Sequence, residues 1–478
     1  MASIASGGVS ITRMAWMLVG GFGLLGVCVA LLLPPFHLPD ERRHWLTAHL
    51  RAERLLGGDT LCSQDVALER HFRLKIHFDP DLQVPPGTWQ GIAALEPVCE
   101  NAIQYRFSNA FSYPGVLLVR WLTPEPATGR AALHRFFAAR IAGGLLLLAL
   151  LARAAILARR DPEGPPPLLL LLLAVPLSPL FVQQSFGVTS DVVVNASALA
   201  LALWLALGAR IGALDRAALC VLGLVAALTK PVLVPVLPAA LLLGLWLEAR
   251  DGGSRAPGLV EGLRRGISRR PIFTGAVCLV VVAGLVTAAA SPGTMYKSGV
   301  IDGAAQLAFV QDNPGTALRV ISAGVARIFL NPGSLVGPLG YLDTPMRAPT
   351  RLAFAAILAL AVAAEWSGRT RRARPISSAA AWLSLLLLAA LVASVGAMAF
   401  NMYLMATNVG GDTLYGLQPR YLLPHLLVTL GAIAGLLRGR LPVAATPPRA
   451  SFALTLLLVA GIAVLALSTS LDVIQRYY

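Results

Sequence analysis

The run Pro34-Pro35-Phe36-His37-Leu38-Pro39-Asp40-Glu41-Arg42-Arg43-His44-Trp45 places two carboxylates at the start of a predicted helix. The prolines end the apolar stretch before it, and Pro39 suits a helix start. Asp40, His44, Thr47 and Arg51 recur at helical spacing and share one polar face. Trp45, Ala48, Ala52 and Leu55 form an apolar stripe, which predicts a helix resting on a membrane surface. Two roles suit the acidic pair. A carboxylate here can act as general base toward a hydroxyl, or Asp40 and Glu41 cap the helix and complement its dipole.

Four further polar clusters have shorter signatures. Ser178-Pro179 and Gln183-Gln184-Ser185 lead to Thr189-Ser190-Asp191, and Thr229-Lys230-Pro231 interrupts an apolar region. Gly340-Tyr341-Leu342-Asp343-Thr344 comes before one apolar run, and Gln418-Pro419-Arg420-Tyr421-Leu422-Leu423-Pro424 opens another. Taken singly, each reads as span-end chemistry, since a lone Lys or Arg there snorkels to the interface.

The elements that must carry these groups follow from composition. Of 478 residues 56% are apolar and 13% charged, against roughly a quarter charged in a soluble domain. Low hydrophobicity, which disorder requires, is absent. An all-α, polytopic membrane bundle remains. Apolar runs long enough for a bilayer lie near 14–34, 133–158, 165–183, 190–209, 214–229, 231–248, 271–290, 351–367, 376–403, 420–437 and 450–471, giving about eleven predicted spans. They read as almost free of charge, with Arg153 and Asp191 near span ends. The first run exceeds a signal-peptide core and has no clear small-x-small site, so it is expected to stay as a span. Gly-rich 20–26 reads as helix packing.

Placing the N-terminus inside puts Arg159, Arg160, the arginines of 250–270 and 369–374, Arg438, Arg440 and Arg449 in short inside loops. The short outside turns then hold Lys230, with Arg420 at the edge of the last. That asymmetry predicts N-in, C-out. It also accounts for the formal charge of +15 without nucleic acid. All five polar clusters land on the outer face, and convergent polar groups on one side of a bundle are a site hypothesis.

Two outside segments stand out. Residues 35–132 hold eleven of the 24 carboxylates and five of the seven histidines, in a loop longer than structureless connections usually are. Cys62 and Cys99 both lie in it and can pair in an oxidising compartment, while Cys28, Cys220 and Cys278 read as small apolar residues of spans. Residues 291–350 contain a helix start at Asn313-Pro314 followed by Leu318, Ile321, Val325 and Ile328, with Arg319 and Arg327 off the stripe. This again suits a membrane-surface helix. No phosphate loop or dinucleotide fingerprint is present.

Pro-Asp-Glu-x-x-His (39–44), Ser-Asp (190–191), Leu-Asp-Thr (342–344) and Gln-x-Arg-Tyr-x-x-Pro (418–424), in this order over roughly 30–430, resemble a large bacterial family of unknown function. That family is grouped with the GT-C glycosyltransferase superfamily of polytopic membrane enzymes. The chain departs from the pattern at Pro419, where glycine is expected, and at Arg42-Arg43, where small residues or proline are usual. The resemblance implies a single GT-C-like transmembrane domain over 1–478 and a polyprenyl-phosphate sugar as donor. It implies Asp40 as catalytic base, with Glu41 as the second choice, and a glycan or glycolipid acceptor at the outer face of a bacterial inner membrane.

The residues themselves agree. Without a cytosolic domain for a nucleotide sugar, an activated sugar used outside arrives on a lipid, and its phosphate needs cations. Arg420 offers a planar fork for two phosphate oxygens; Lys230, Lys297 and His44 are further candidates. Asp191, Asp343, Gln418 and Tyr421 are the expected substrate contacts. Asp40, Glu41 or Asp191 could hold magnesium or manganese, although many superfamily members are thought to work without metal. Two alternatives stay open: a lipid-linked glycan polymerase or ligase, and a transporter or flippase. The latter usually has ionisable sites near the membrane midplane.

Overall fold

The computed structural model describes residues 4–38, 40–55, 61–72, 83–100, 110–160, 165–251, 258–290, 297–298, 301–331, 333–339, 344–367, 377–438 and 448–478. The chain is mostly helical, and the strands among the described residues form two short antiparallel pairs. Among the described residues, six helices are long and apolar enough to cross a membrane: Ile11–Leu32, Gly129–Arg159, Ala348–Trp366, Ser378–Ala406, Pro419–Leu437 and Ala450–Tyr477. A seventh candidate is the pair Leu259–Arg269 and Pro271–Val286, bent by 100°. The predicted runs 190–209, 214–229 and 231–248 correspond to shorter helices, Asp191–Leu207, Ala213–Thr229 and Leu237–Asp251. The run 165–183 is broken, with Leu169–Ala174 and Pro179–Ser185 joined through a 3-10 turn containing Pro176. Proline interrupts the helical ladder there.

At the centre, helix Asp191–Leu207 is buried on every side. It packs most extensively against Leu423–Leu437. A Cβ at Gly431 would come within 2.4 Å of the Ala202 carbonyl oxygen, and one at Gly435 within 2.2 Å of that of Leu205. Glycines four apart thus let two backbones touch, as in small-residue seams of membrane helices. Both contacts advance in the same chain direction, so the helices are parallel. Arg420 lies as far before Gly431 as Asp191 lies before Ala202, and the seam therefore delivers both to one end of the bundle. The glycine-rich first helix also serves packing: Gly26 sits against the Phe186 ring.

One buried ion pair ties the loops of that end to the bundle. Arg140, in mid-helix on Gly129–Arg159, donates from Nε to Glu41 Oε1 at 2.9 Å and from Nη2 to Oε2 at 2.6 Å. It also donates to the carbonyls of Ala30, Leu33 and Pro34, which close the C-terminus of the first helix. Glu41 in turn accepts from the backbone N–H of Phe36 and Val188. Both side chains are fully buried.

Helix Glu41–Leu55 differs from the expected surface helix. Through Leu50 nearly every residue is buried, because Trp45, Leu46, Ala48 and Leu50 join Phe36, Tyr113, Val116 and Phe136 in one aromatic core. Trp45 packs edge-on to Phe136 with centroids 5.0 Å apart. Helix Pro314–Phe329 begins at Asn313 as expected, and one edge of it is docked on the bundle. Ala317 and Val320 pack with Tyr403, while Leu318 is exposed. Cys99 is disulfide-bonded, and Cys62 is its register partner across the strands Leu61–Ser63 and Val98–Glu100. Cys28, Cys220 and Cys278 are free.

The glycine seam gives a direct contrast. Gly431→Ala should destabilise by about 1–3 kcal/mol through overpacking. Gly396→Ala, at a helical glycine with open space around it, should leave the melting temperature in detergent unchanged or raise it. Equal melting temperatures for the two variants would refute the seam's role.

Candidate functional site

Where the parallel pair begins, four polar side chains from distant segments meet. Arg420 sits on the 3-10 turn Pro419–Tyr421 that opens helix Leu423–Leu437. Asp191 is the first residue of its helix, Lys230 ends Ala213–Thr229, and Asp40 stands just before Glu41–Leu55. Arg420 Nη1 is 3.7 Å from Asp191 Oδ2 and its Nη2 is 4.0 Å from Asp40 Oδ2. Lys230 Nζ donates to Asp191 Oδ1 at 2.6 Å. Asp191 is thus shared by two cations, while Asp40, among the described residues, meets Arg420.

Exposure separates their roles. The Arg420 side chain is 4% exposed and that of Asp40 is 43%, so the carboxylate is open to solvent while the guanidinium is enclosed beside it. Asp40 holds a left-handed backbone, φ 63°, and so does Phe36, φ 65°. Asp tolerates this region better than most residues, but a non-glycine residue there marks a geometry imposed by its surroundings. The Glu41–Arg140 lock beside it supplies that constraint.

Arg420 also donates to Gln184 Oε1 and to the Tyr421 hydroxyl, each at 3.3 Å, and its guanidinium lies 5.2 Å from the Tyr421 ring centroid. Its Nε and the Gln184 Nε2 are buried N–H groups without a hydrogen-bond partner. Such groups carry a desolvation cost, and both are donors that suit an anion. Behind the turn, His425 Nδ1 lies 3.0 Å from the Tyr421 carbonyl and its Nε2 lies 2.8 Å from Ser394 Oγ.

Two expectations need correction. Glu41 is no second base: Arg140 and two backbone N–H groups occupy both of its oxygens. His44 is no phosphate-binding cation. Its Nδ1 lies 2.9 Å from the Tyr113 hydroxyl, and burial, with Lys230 next, lowers it from 6.5 to about 3, leaving the ring neutral. Gln418 caps the 3-10 turn, with its backbone carbonyl accepting from Tyr421 N. Lys297 falls on a two-residue strand opposite Asp302, its side chain outside the described residues, and Asp343 also lies outside them.

Among the described residues, the carboxylates expected to hold magnesium or manganese do not gather into a metal site. Glu41 is saturated, Asp191 is paired with Lys230 and Arg420, and no three metal-ligating side chains group together among the described residues.

Much of the polar wealth of the first loop is structural. Asp65, His49, Arg135 and Arg120 form a buried network with Glu125 at its rim. Arg135 Nη1 donates to Asp65 at 3.0 Å and to Glu125 at 2.9 Å. Burial pushes Asp65 up to about 7 against the pull of Arg135, and burial, then Arg120 and Arg135, holds His49 well below its usual range. Arg135 and Arg140 escaped the sequence reading although both lie inside the run 133–158. An arginine within a span was the available signal.

Over residues 104–429 the chain matches the family described as "Predicted membrane protein (DUF2142)", and it belongs to that family. The match includes Asp191, Lys230 and Arg420 but begins after Asp40 and Glu41. No curated protein and no solved structure matches the chain significantly. The protein is a mostly helical, multi-pass membrane protein.

The two acidic neighbours should separate experimentally. Glu41→Gln leaves Arg140 buried without its counter-charge and should cost about 3–5 kcal/mol, read as a large fall in melting temperature, whereas Asp40→Asn should leave the melting temperature unchanged. For His44, the unfolded chain takes up a proton near 6.5 and the folded chain only near 3. Native stability must therefore fall as pH drops through that window, by at most about 1.4 kcal/mol per pH unit. In melts between pH 7.5 and 4.5, the stability advantage of wild type over His44→Gln should shrink with acidification. A constant gap would show that His44 protonates freely in the fold.

Proposed function

We propose that this chain is a GT-C-type membrane glycosyltransferase that moves a sugar from a polyprenyl-phosphate donor to a hydroxyl of a cell-surface glycan or glycolipid. The observation that carries the reading is the partly exposed Asp40 carboxylate 4.0 Å from a buried Arg420, at an end of the bundle where Lys230 and Gln184 add further N–H donors. Topology supports it: counting the broken run and the shorter helices as crossings gives eleven spans, N-in and C-out. The cluster then lies on the periplasmic side of the inner membrane.

In this mechanism Asp40 takes the proton of the acceptor hydroxyl. The oxygen attacks the anomeric carbon as the bond from that carbon to the phosphate oxygen breaks. Polyprenyl phosphate departs with the electron pair, and its charge is met by the Arg420 fork and Lys230. One displacement inverts the anomeric centre. Two cations flanking Asp191 would also serve a lipid-diphosphate donor, as a polymerase or ligase requires. A flippase is disfavoured, since the cluster sits at helix ends.

The test is purified protein with radiolabelled polyprenyl-phosphate sugars, following release of free polyprenyl phosphate. Asp40→Asn should lower the rate by about 10²–10⁴-fold with an unchanged melting temperature, and Arg420→Lys should weaken donor binding. Release at the wild-type rate in Asp40→Asn would end the proposal. So would transport of labelled lipid across sealed vesicles by that variant, without release.

A further inference from the structure

At the end of the bundle opposite Asp40, helix Leu259–Arg269 divides into three sectors. One edge is packed: Gly262 and Gly266 are buried, and a Cβ on Gly266 would come within 2.6 Å of the Leu245 carbonyl oxygen on helix Leu237–Asp251. The next sector is apolar. Leu259, Val260 and Ile267 are exposed, at 79% for Val260, with half-buried Leu263 between them. The third carries Arg264, Arg265, Ser268 and Arg269, all exposed, and half-buried Glu261. Glu261 pairs with Arg264 and Arg265, which leaves the face strongly basic. Arg270 follows, near Glu248.

Orientation gives these sectors meaning. The helix turns by 100° into Pro271–Val286, which is apolar throughout. If that helix runs along the bilayer normal, Leu259–Arg269 runs along its surface. An exposed apolar strip beside an arginine strip is costly in water and fits the headgroup boundary.

We infer that Leu259–Arg269 is an interfacial helix that binds anionic phospholipid headgroups. Val260, Leu263 and Ile267 enter the acyl region while Arg264, Arg265 and Arg269 hold the phosphates. Charge complementarity selects the lipid. The glycine contact to Leu245 holds the helix at a fixed angle, so it meets the membrane preformed. This reading stands apart from the proposed transferase chemistry.

The experiment is hydrogen–deuterium exchange of the full-length protein in nanodiscs of phosphatidylcholine alone and of phosphatidylcholine with phosphatidylglycerol. Amides of 259–269 should exchange about tenfold or more slowly in the anionic discs. The triple variant Arg264→Gln/Arg265→Gln/Arg269→Gln should lose that difference while keeping the wild-type melting temperature. Val260→Ser/Ile267→Ser should exchange faster in both discs. Equal exchange of wild type in the two lipids, or a lipid difference that survives in the triple variant, would overturn the inference.

Discussion

The bidentate pair of Glu41 and Arg140 is the constraint on which the Asp40 end of the bundle depends. Two charges buried completely are expensive unless every lone pair and proton is used, and here the glutamate takes four hydrogen bonds while the arginine reaches three carbonyls besides it. The carbonyls close the first helix, the glutamate opens the second, and the Val188 N–H belongs to the turn before Asp191. One ion pair therefore fixes three chain segments that also meet in the core around Phe36, Trp45, Phe136 and Val188. Asp40, adjacent to Glu41, inherits its position from that lock, and among the described residues its carboxylate meets Arg420.

The distribution of charge follows a simple division. Carboxylates that are saturated, such as Glu41, or enclosed, such as Asp65, hold the architecture. Asp191 anchors two cations, and Asp40 is left facing outward. Arg420 is buried beside both Asp191 and Asp40. At the opposite end Arg153 grips Asp215 with two hydrogen bonds at 2.8 and 3.0 Å, and Arg216 and Trp204 share Glu248. Those side chains have their partners already.

Much of this was legible in the residues and some was not. Apolar runs and arginine placement announced a membrane bundle; among the described residues six of the runs fall on helices long and apolar enough to cross one, and a seventh on the bent pair. The clusters around Asp40, Asp191, Lys230 and Arg420 stood out because polar groups at span ends are conspicuous against so apolar a background. Glu41 and Asp40 could not be told apart, since adjacency in sequence hides that a helix turns successive side chains to different neighbours. Arg140 was hidden because hydropathy averages a lone arginine away within a long apolar run. Helix Glu41–Leu55 read as amphipathic, but its polar face is met by other polar groups of the protein rather than by water, so the pattern named the helix and missed its surroundings.

The seam between Asp191–Leu207 and Leu423–Leu437 has one more consequence. Since the two helices are parallel and touch at Gly431 and Gly435, it acts as a ruler for everything mounted at their tips. A slip of one residue along it would displace Arg420 by about 1.5 Å relative to Asp191, and a full turn by about 5.4 Å, beyond the reach of any ion pair. The calibration of these charges is thus kept some sixteen ångströms along the helices from them, by about eleven residues of rise, in side chains that are only hydrogen atoms.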